Sequence, residues 1–228
     1  MRRYGVFGGT FDPVHTGHLI AAERVKDALG LDSVLFVPAG TPPHKSAASV
    51  SEPEHRYLMT LLATLDNPGF RVHRVDLDRP GRSFTVDTLA LLRKEYGPET
   101  ELFFIMGADS LADLPTWHEP GRLLRENRIA VATRPGWQVE RIKEALGTLY
   151  PAFAERVLTV EIPAIGVSSS EIRSRVAQGR SIRYLVPHAV ERYIEKHGLY
   201  RERGPKPPPC SDGAPSPSGE ALRGDERT

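Results

Sequence analysis

The stretch YGVFGGTFDPVHTGHLIAAERVKDAL, residues 4–29, changes its pattern twice. Tyr4–Phe7 is a short apolar run of the kind that forms a buried strand. Gly8 and Gly9 close it. From about Gly17 the small and apolar residues Ala21, Val25, Ala28 and Leu29 fall at i, i+4, i+7 and i+8, the spacing of one helix face. A strand passing into a helix through glycine is the first half of a βαβ unit, and the rest of the chain repeats the alternation.

Ser33–Val37, Phe70–Val75, Leu102–Met106, Ile129–Thr133 and Val157–Ile162 read as further strands. Helical spacing falls between them, in Leu58, Leu61, Leu62 and Leu65 and again in Val139, Ile142 and Leu146. Parallel neighbours cannot be joined by a tight hairpin, so strands that alternate with helices imply a parallel sheet with crossover helices covering both faces. The expected fold is therefore an open, doubly wound, Rossmann-like α/β sheet, with C-terminal helices after the last strand. Ligands in such sheets bind beyond the carboxyl ends of the strands, where the strand order reverses.

Composition narrows the functional class. The chain has 228 residues, 39% of them hydrophobic, which is enough for one substantial core. Thirty basic residues against twenty-nine acidic ones give a net charge of +1, without the bulk positive charge of a protein that coats nucleic acid or an anionic membrane. Neither partner is expected, and any anion must be bound locally. Cys210 is the only cysteine, which excludes an internal disulfide or a cysteine-rich zinc cage and suits a reducing cytoplasm. Met1-Arg2-Arg3-Tyr4 leads into the first strand without a long apolar leader, and no run of eighteen apolar residues occurs, so neither export nor membrane spanning is expected. Residues 1–203 read as the folded domain. Residues 204–228 hold six of the twenty prolines and almost no large apolar side chains, the composition of a disordered tail. A homo-oligomer is left open.

The residues that stand out chemically sit where this fold places ligands. Gly8 and Gly9 let backbone N–H groups come close to a ligand, and a helix starting near Gly17 aims its unpaired N–H groups at the same space, an arrangement suited to phosphate. Neither GxxxxGK[ST] nor GxGxxG is present, so side chains must take a larger part. His15 and His18 are three apart and can face one side of the helix start, donating from imidazole nitrogens to phosphate oxygens. The residues alone leave two other readings open, structural histidines and a zinc site with Asp12. Far downstream, VSSSEIRSRV at 167–176 places Ser169 and Ser170 at a helix start, where they can cap it and present hydroxyls. Arg173, one turn on, can bring a guanidinium to β- and γ-phosphates. An ordinary serine cap beside a solvated arginine is the alternative.

Gly9–His18 resembles the (H/T)xGH signature of the nucleotidylyltransferase superfamily, whose HxGH core also occurs in class I aminoacyl-tRNA synthetases, and Ser169, Ser170 and Arg173 resemble its SSxxxR motif. PPHK at 42–45, SFTVDTL at 83–89, GADSL at 107–111 and Trp117 are together similar to the bacterial nicotinate mononucleotide adenylyltransferases, a resemblance that covers residues 1–200.

That resemblance implies transfer of the adenylyl group of ATP to nicotinate mononucleotide, with Mg²⁺ accompanying ATP and no metal held by the protein itself. It implies His15, His18 and Arg173 as catalytic groups supplying position and positive charge. Gly8, Gly9, Thr10, Phe11, His18, Asp109, Ser169, Ser170 and Arg173 would bind ATP, Asp109 through a ribose. Thr85 and Trp117 would hold nicotinate mononucleotide, Trp117 by stacking on the pyridine, with His44 and Lys45 near phosphates. Phe84 and His118 depart from the family, which more often has tyrosine at the first position and an aromatic residue at the second. Within the superfamily a nicotinamide mononucleotide or pantetheine-phosphate adenylyltransferase is the alternative, and outside it a non-catalytic nucleotide sensor.

Overall fold

The computed structural model describes residues 2–42, 50–138 and 140–201; His44, Lys45, Val139 and the tail from 204 lie outside the described residues. Six strands, β1 (Arg3–Gly9), β2 (Ser33–Pro38), β3 (Phe70–Val72), β4 (Glu101–Gly107), β5 (Arg128–Thr133) and β6 (Val157–Glu161), form one sheet in the order β3-β2-β1-β4-β5-β6. Every pairing is parallel. The helices that follow or connect them are α1 (Thr16–Leu29), α2 (Pro53–Thr64), α3 (Thr85–Tyr96), α4 (Ala108–Leu111), α5 (Pro120–Glu126), α6 (Glu140–Leu146), α7 (Tyr150–Phe153), α8 (Ser169–Ala177) and α9 (His188–His197). This is the doubly wound, Rossmann-like sheet expected, with α8 and α9 after the last strand. No helix among the described residues is long and apolar enough to cross a membrane.

Alternation along each strand builds the two cores. Val6, Leu35, Val37, Phe104, Met106 and Val131 face α3, α5 and α6, which contribute Leu89, Leu92, Leu123, Leu124, Ile142 and Leu146. Phe7, Phe36, Phe103, Ile105 and Ala130 face the other way, toward Ala22 and Val25 of α1, Met59 and Ala63 of α2, Ile172 of α8 and Val190 and Ile194 of α9. The strand order reverses between β1 and β4, which pair with Phe7 opposite Ile105. A crevice therefore opens beyond Gly9 and Gly107, where the crossovers from β1 and β4 diverge to opposite faces.

Three expected details differ. β3 stops at Val72, because His73 Nδ1 accepts the Val75 N–H (3.1 Å) and Leu77 N–H bonds Arg74 O, turning the chain away from the sheet edge. In α1 Ala22 is buried and Ala28 exposed. In α2 the buried face is Arg56, Met59, Thr60, Ala63 and Thr64, whereas Leu58, Leu61 and Leu62 are half-buried and Leu65 is 68% exposed. The two threonines can be buried because each hydroxyl donates to the carbonyl four residues back, Thr60 to Arg56 and Thr64 to Thr60.

Candidate active site

A cavity of about 1190 Å³ fills the crevice. Gly8, Gly9, Thr10, Phe11, His15, Gly17 and His18 line one side, and Phe84, Thr85, Gly107, Asp109, Trp117 and Arg134 line the rest. At Gly8 and Gly9 the space left by the missing Cβ is taken up by aromatic rings. A Cβ at Gly8 or Gly9 would meet the ring of Phe104 at 3.1 Å or of Phe11 at 3.0 Å, so these glycines admit aromatic packing behind the wall. Open space lies instead at Gly107, where an added Cβ would meet nothing within 4 Å. Phe11 holds a left-handed backbone (φ 50) that turns its ring inward against Phe7, Phe36 and His18.

The two imidazoles stack face to face, with ring centroids 3.6 Å apart and planes inclined by 24°. The His15 backbone N–H donates to His18 Nδ1 at 3.1 Å, which leaves the ring hydrogen of neutral His18 on Nε2. Gly17 makes room for the stack, since a Cβ there would lie 3.1 Å from His15 Nδ1. Burial lowers the pKa of His15 to about 4; burial, reinforced by the neighbouring His15, lowers that of His18 to about 3. Both rings are therefore neutral near pH 7 and act as N–H dipoles. The positive charge expected of them is absent, and the arginines that line the cavity are Arg82, Arg134 and Arg141. His15 Nδ1 is buried and finds no hydrogen-bond partner among the described residues.

The downstream motif meets this loop directly. Ser168 caps α8, accepting the Glu171 N–H at 3.2 Å, so the cap precedes the two serines assigned to it by one or two positions. Ser169 Oγ donates to Pro13 O (2.9 Å), and Arg173 Nη1 donates to Asp12 O (2.7 Å) across 161 residues of sequence. Arg173 Nη2 also donates to Ser170 Oγ at 3.3 Å. Ser169, Ser170 and Arg173 do not themselves line the cavity; they reach it through the loop they hold. Thr16 fixes the other flank, its N–H and hydroxyl both donating to Leu185 O at 3.0 Å.

At the opposite wall α3 begins at Thr85 without a side-chain cap. Its backbone bonding starts with Asp87 and Thr88 N–H to Phe84 O, so that among the described residues the Thr85 and Val86 N–H groups have no partner at the helix start. Phe84 and His118, the two departures from the family pattern, stack on one another with centroids 4.4 Å apart. Trp117 is half-buried and meets Phe104 edge to face at 5.9 Å. Asp109 does not cap a helix, since Gly107 occupies that position for α4; its carboxylate is 91% exposed and lies 3.5 Å from Arg134 Nη2.

Sequence reasoning missed several groups here. Trp137 and Arg141 also line the cavity, and Asp12 is gripped from two sides, by the Tyr200 hydroxyl on Oδ1 (2.6 Å) and the Ser51 N–H on Oδ2 (3.2 Å). The Trp137 signal was legible as Arg-Pro-Gly-Trp after β5. That of Tyr200, 188 residues from its partner, was not.

Residues 6–175 match the family model described as cytidylyltransferase-like. A protein of Moorella thermoacetica named "Probable nicotinate-nucleotide adenylyltransferase" is 49% identical over 201 residues, covering 88% of this chain and 93% of that one. One of the same name from Thermus thermophilus is 51% identical over 199 residues, covering 87% of this chain and 100% of its own. The solved nicotinic acid mononucleotide adenylyltransferase of Plasmodium falciparum, complexed with NaAD, shares the fold with a TM-score of 0.70 at 21% identity, covering 88% of this chain and 98% of that one. With its stacked HxGH histidines tied to the SSxxxR arginine in one wall, the chain belongs to the cytidylyltransferase-like family and, within it, to the nicotinate-nucleotide adenylyltransferases.

Proposed function

We infer that this protein transfers the adenylyl group of ATP to nicotinate mononucleotide, releasing pyrophosphate and forming nicotinate adenine dinucleotide. The observation that carries this reading is the single crevice at the β1/β4 reversal, in which the stacked histidines face, across one cavity, a helix start and a half-buried indole suited to a pyridine carboxylate. The phosphate of nicotinate mononucleotide attacks the α-phosphorus of ATP, the bond from that phosphorus to the α,β-bridging oxygen breaks, and its electron pair leaves with pyrophosphate. The attacking oxygen is already an anion, so no general base is required. Catalysis then rests on in-line positioning and on donors aimed at the charge that develops.

In this assignment His18 Nε2–H and the backbone of Gly8–Thr10 donate to the triphosphate. Ser169 and Ser170 hold the loop and the guanidinium, Arg173 supplies the positive charge, and Asp109 takes a ribose hydroxyl. Thr85 and Trp117 take nicotinate mononucleotide, with His44 and Lys45 assigned to phosphate. The N–H groups of Thr85 and Val86, without a partner among the described residues, favour a carboxylate over an amide at the pyridine end. Mg²⁺ bound to the triphosphate supplies charge neutralisation. Among the described residues no group of three or more His, Cys, Asp and Glu side chains is placed to hold a metal. Residues 1–203 form the catalytic domain.

The test is pyrophosphate release from ATP with nicotinate mononucleotide, nicotinamide mononucleotide and pantetheine phosphate in parallel. Preference for the acid is expected, and preference for either other acceptor overturns the assignment. ATP binding without pyrophosphate release in any arm makes the protein a sensor. Replacement His18→Ala should lower kcat by about 10²–10³, the typical cost of one preorganised donor.

A further inference from the structure

Arg56 is the largest fully buried side chain of the described residues, 1% exposed, on a helix that the sequence marks as amphipathic. A lone arginine on such a helix ordinarily lies on the solvent face. Here each of its three nitrogens donates to a backbone carbonyl: Nη1 to Thr10 (2.9 Å), Nη2 to Gly40 (3.0 Å) and Nε to Ser51 (2.9 Å). Among the described residues it forms no ion pair within 4 Å. Burial pulls its pKa down, and the nearby Asp12 carboxylate opposes this. A buried cation satisfied by peptide carbonyls carries a desolvation cost that an apolar side chain of the same size would avoid.

The three carbonyls belong to different segments. Thr10 follows β1 in the wall that carries the histidines; Gly40 follows β2, on the way to Pro42, which also lines the cavity; Ser51 precedes α2 and its N–H bonds Asp12. The Gly40 segment is fastened from its other side as well, since Gly40 N–H donates to Ser83 Oγ (3.0 Å) and Ser83 N–H to Thr41 O (3.0 Å), one residue before Phe84. Arg56 thus bonds both the β1 loop and the β2 loop, beside the Ser51 N–H to Asp12 and the Ala39 N–H to Gly9 O that also join them. Its planar fork fixes their spacing, which a flexible ammonium with a single charged atom cannot do.

We propose that Arg56 is a positioning residue for adenylyl transfer, holding the β1 loop that carries the ATP side of the cavity at a set distance from the β2 loop on the mononucleotide side. This rests on the proposed reaction. Arg56 does not line the cavity, so each half-site should still bind its own ligand when the clamp is loosened, while the alignment between them suffers.

The experiment compares the wild-type chain with Arg56→Lys, Arg56→Gln and Arg56→Met. Melting temperature, kcat, both KM values, and binding of ATP and of nicotinate mononucleotide singly by calorimetry are measured for each. The wild type is assayed first: absence of turnover defeats the proposed reaction, not the clamp. With an active wild type, the folded variants should lose about 100-fold in kcat, the scale of an ångström's misplacement, with Lys retaining no more than Gln. Single-substrate dissociation constants should stay within roughly threefold of wild type. Wild-type kcat in any folded variant that lacks the guanidinium overturns the proposal, as does a loss of single-substrate binding that accounts for the whole kinetic effect. Failure of all three variants to fold assigns Arg56 to the stability of the domain and overturns it equally.

Discussion

Acid should destabilise this protein through its stacked histidines, beginning as pH falls through the ordinary imidazole range. In the unfolded chain both imidazoles have the ordinary pKa of 6.5, whereas in the folded chain His15 is lowered to about 4 and His18 to about 3. The folded state therefore binds fewer protons than the unfolded state below pH 6.5, and stability falls as pH falls from there toward the folded values. At pH 5 the native pair is still neutral while each unfolded imidazole is almost fully protonated, a penalty of about 2 kcal/mol per ring relative to pH 7, or about 4 kcal/mol for the pair. Against a total stability of roughly 5–15 kcal/mol this is a large fraction. Urea unfolding at pH 7, 6 and 5 and constant ionic strength should show it. The double variant His15→Gln/His18→Asn, which keeps an amide near the acceptor position of His18, should lose about 4 kcal/mol less over the same interval. Parallel pH curves for the two proteins, agreeing within about 1 kcal/mol, would falsify the buried neutral pair.

Gly17→Ala should leave the melting temperature nearly unchanged, because alanine favours the helix, yet lower kcat by about tenfold or more as its Cβ displaces the His15 ring; unchanged turnover would show that the stack tolerates the shift. Gly40→Ala drives a methyl into the Asp76 carbonyl, which is backbone and cannot swing aside, so a stability loss of about 1–3 kcal/mol is expected by denaturant titration. Tyr200→Phe removes the hydroxyl on Asp12 Oδ1 and should cost about 1.5–3 kcal/mol, the range for a hydrogen bond to a charged group; a cost below 0.5 kcal/mol would mean that Ser51 and water suffice.

The sheet was legible because parallel strands are buried on both faces and so appear as unbroken apolar runs; all six were visible, with only β3 overextended into a turn closed by its own histidine. The two distant motifs were legible because their residue types have few other reasons to occur behind a glycine turn and at a serine-rich helix start. What periodicity could not reveal was the rotation of α2. Its leucines advertise one face, but Arg56, Thr60 and Thr64 bury another by satisfying their polar groups locally, and hydrogen bonding of this kind leaves no hydropathy signal. The protonation state of His15 and His18 was equally hidden. Two imidazoles near phosphate suggest cations, and only the depth of their burial makes them neutral. Asp12 reads in the sequence only as a possible metal partner of the two histidines, and nothing there announces that Tyr200 closes over it.

The bonds from Ser169 and Arg173 to Pro13 and Asp12, and from Tyr200 to Asp12, join the opening of the polypeptide to its far end. During synthesis the amino-terminal signature emerges first and waits for most of the message to be read before its partners exist. Cleavage between β6 and α8 would separate the same partners while leaving all six strands on one fragment. Competence to react thus waits on residues 169–200, and a single nick before them can remove it from a sheet that stays whole.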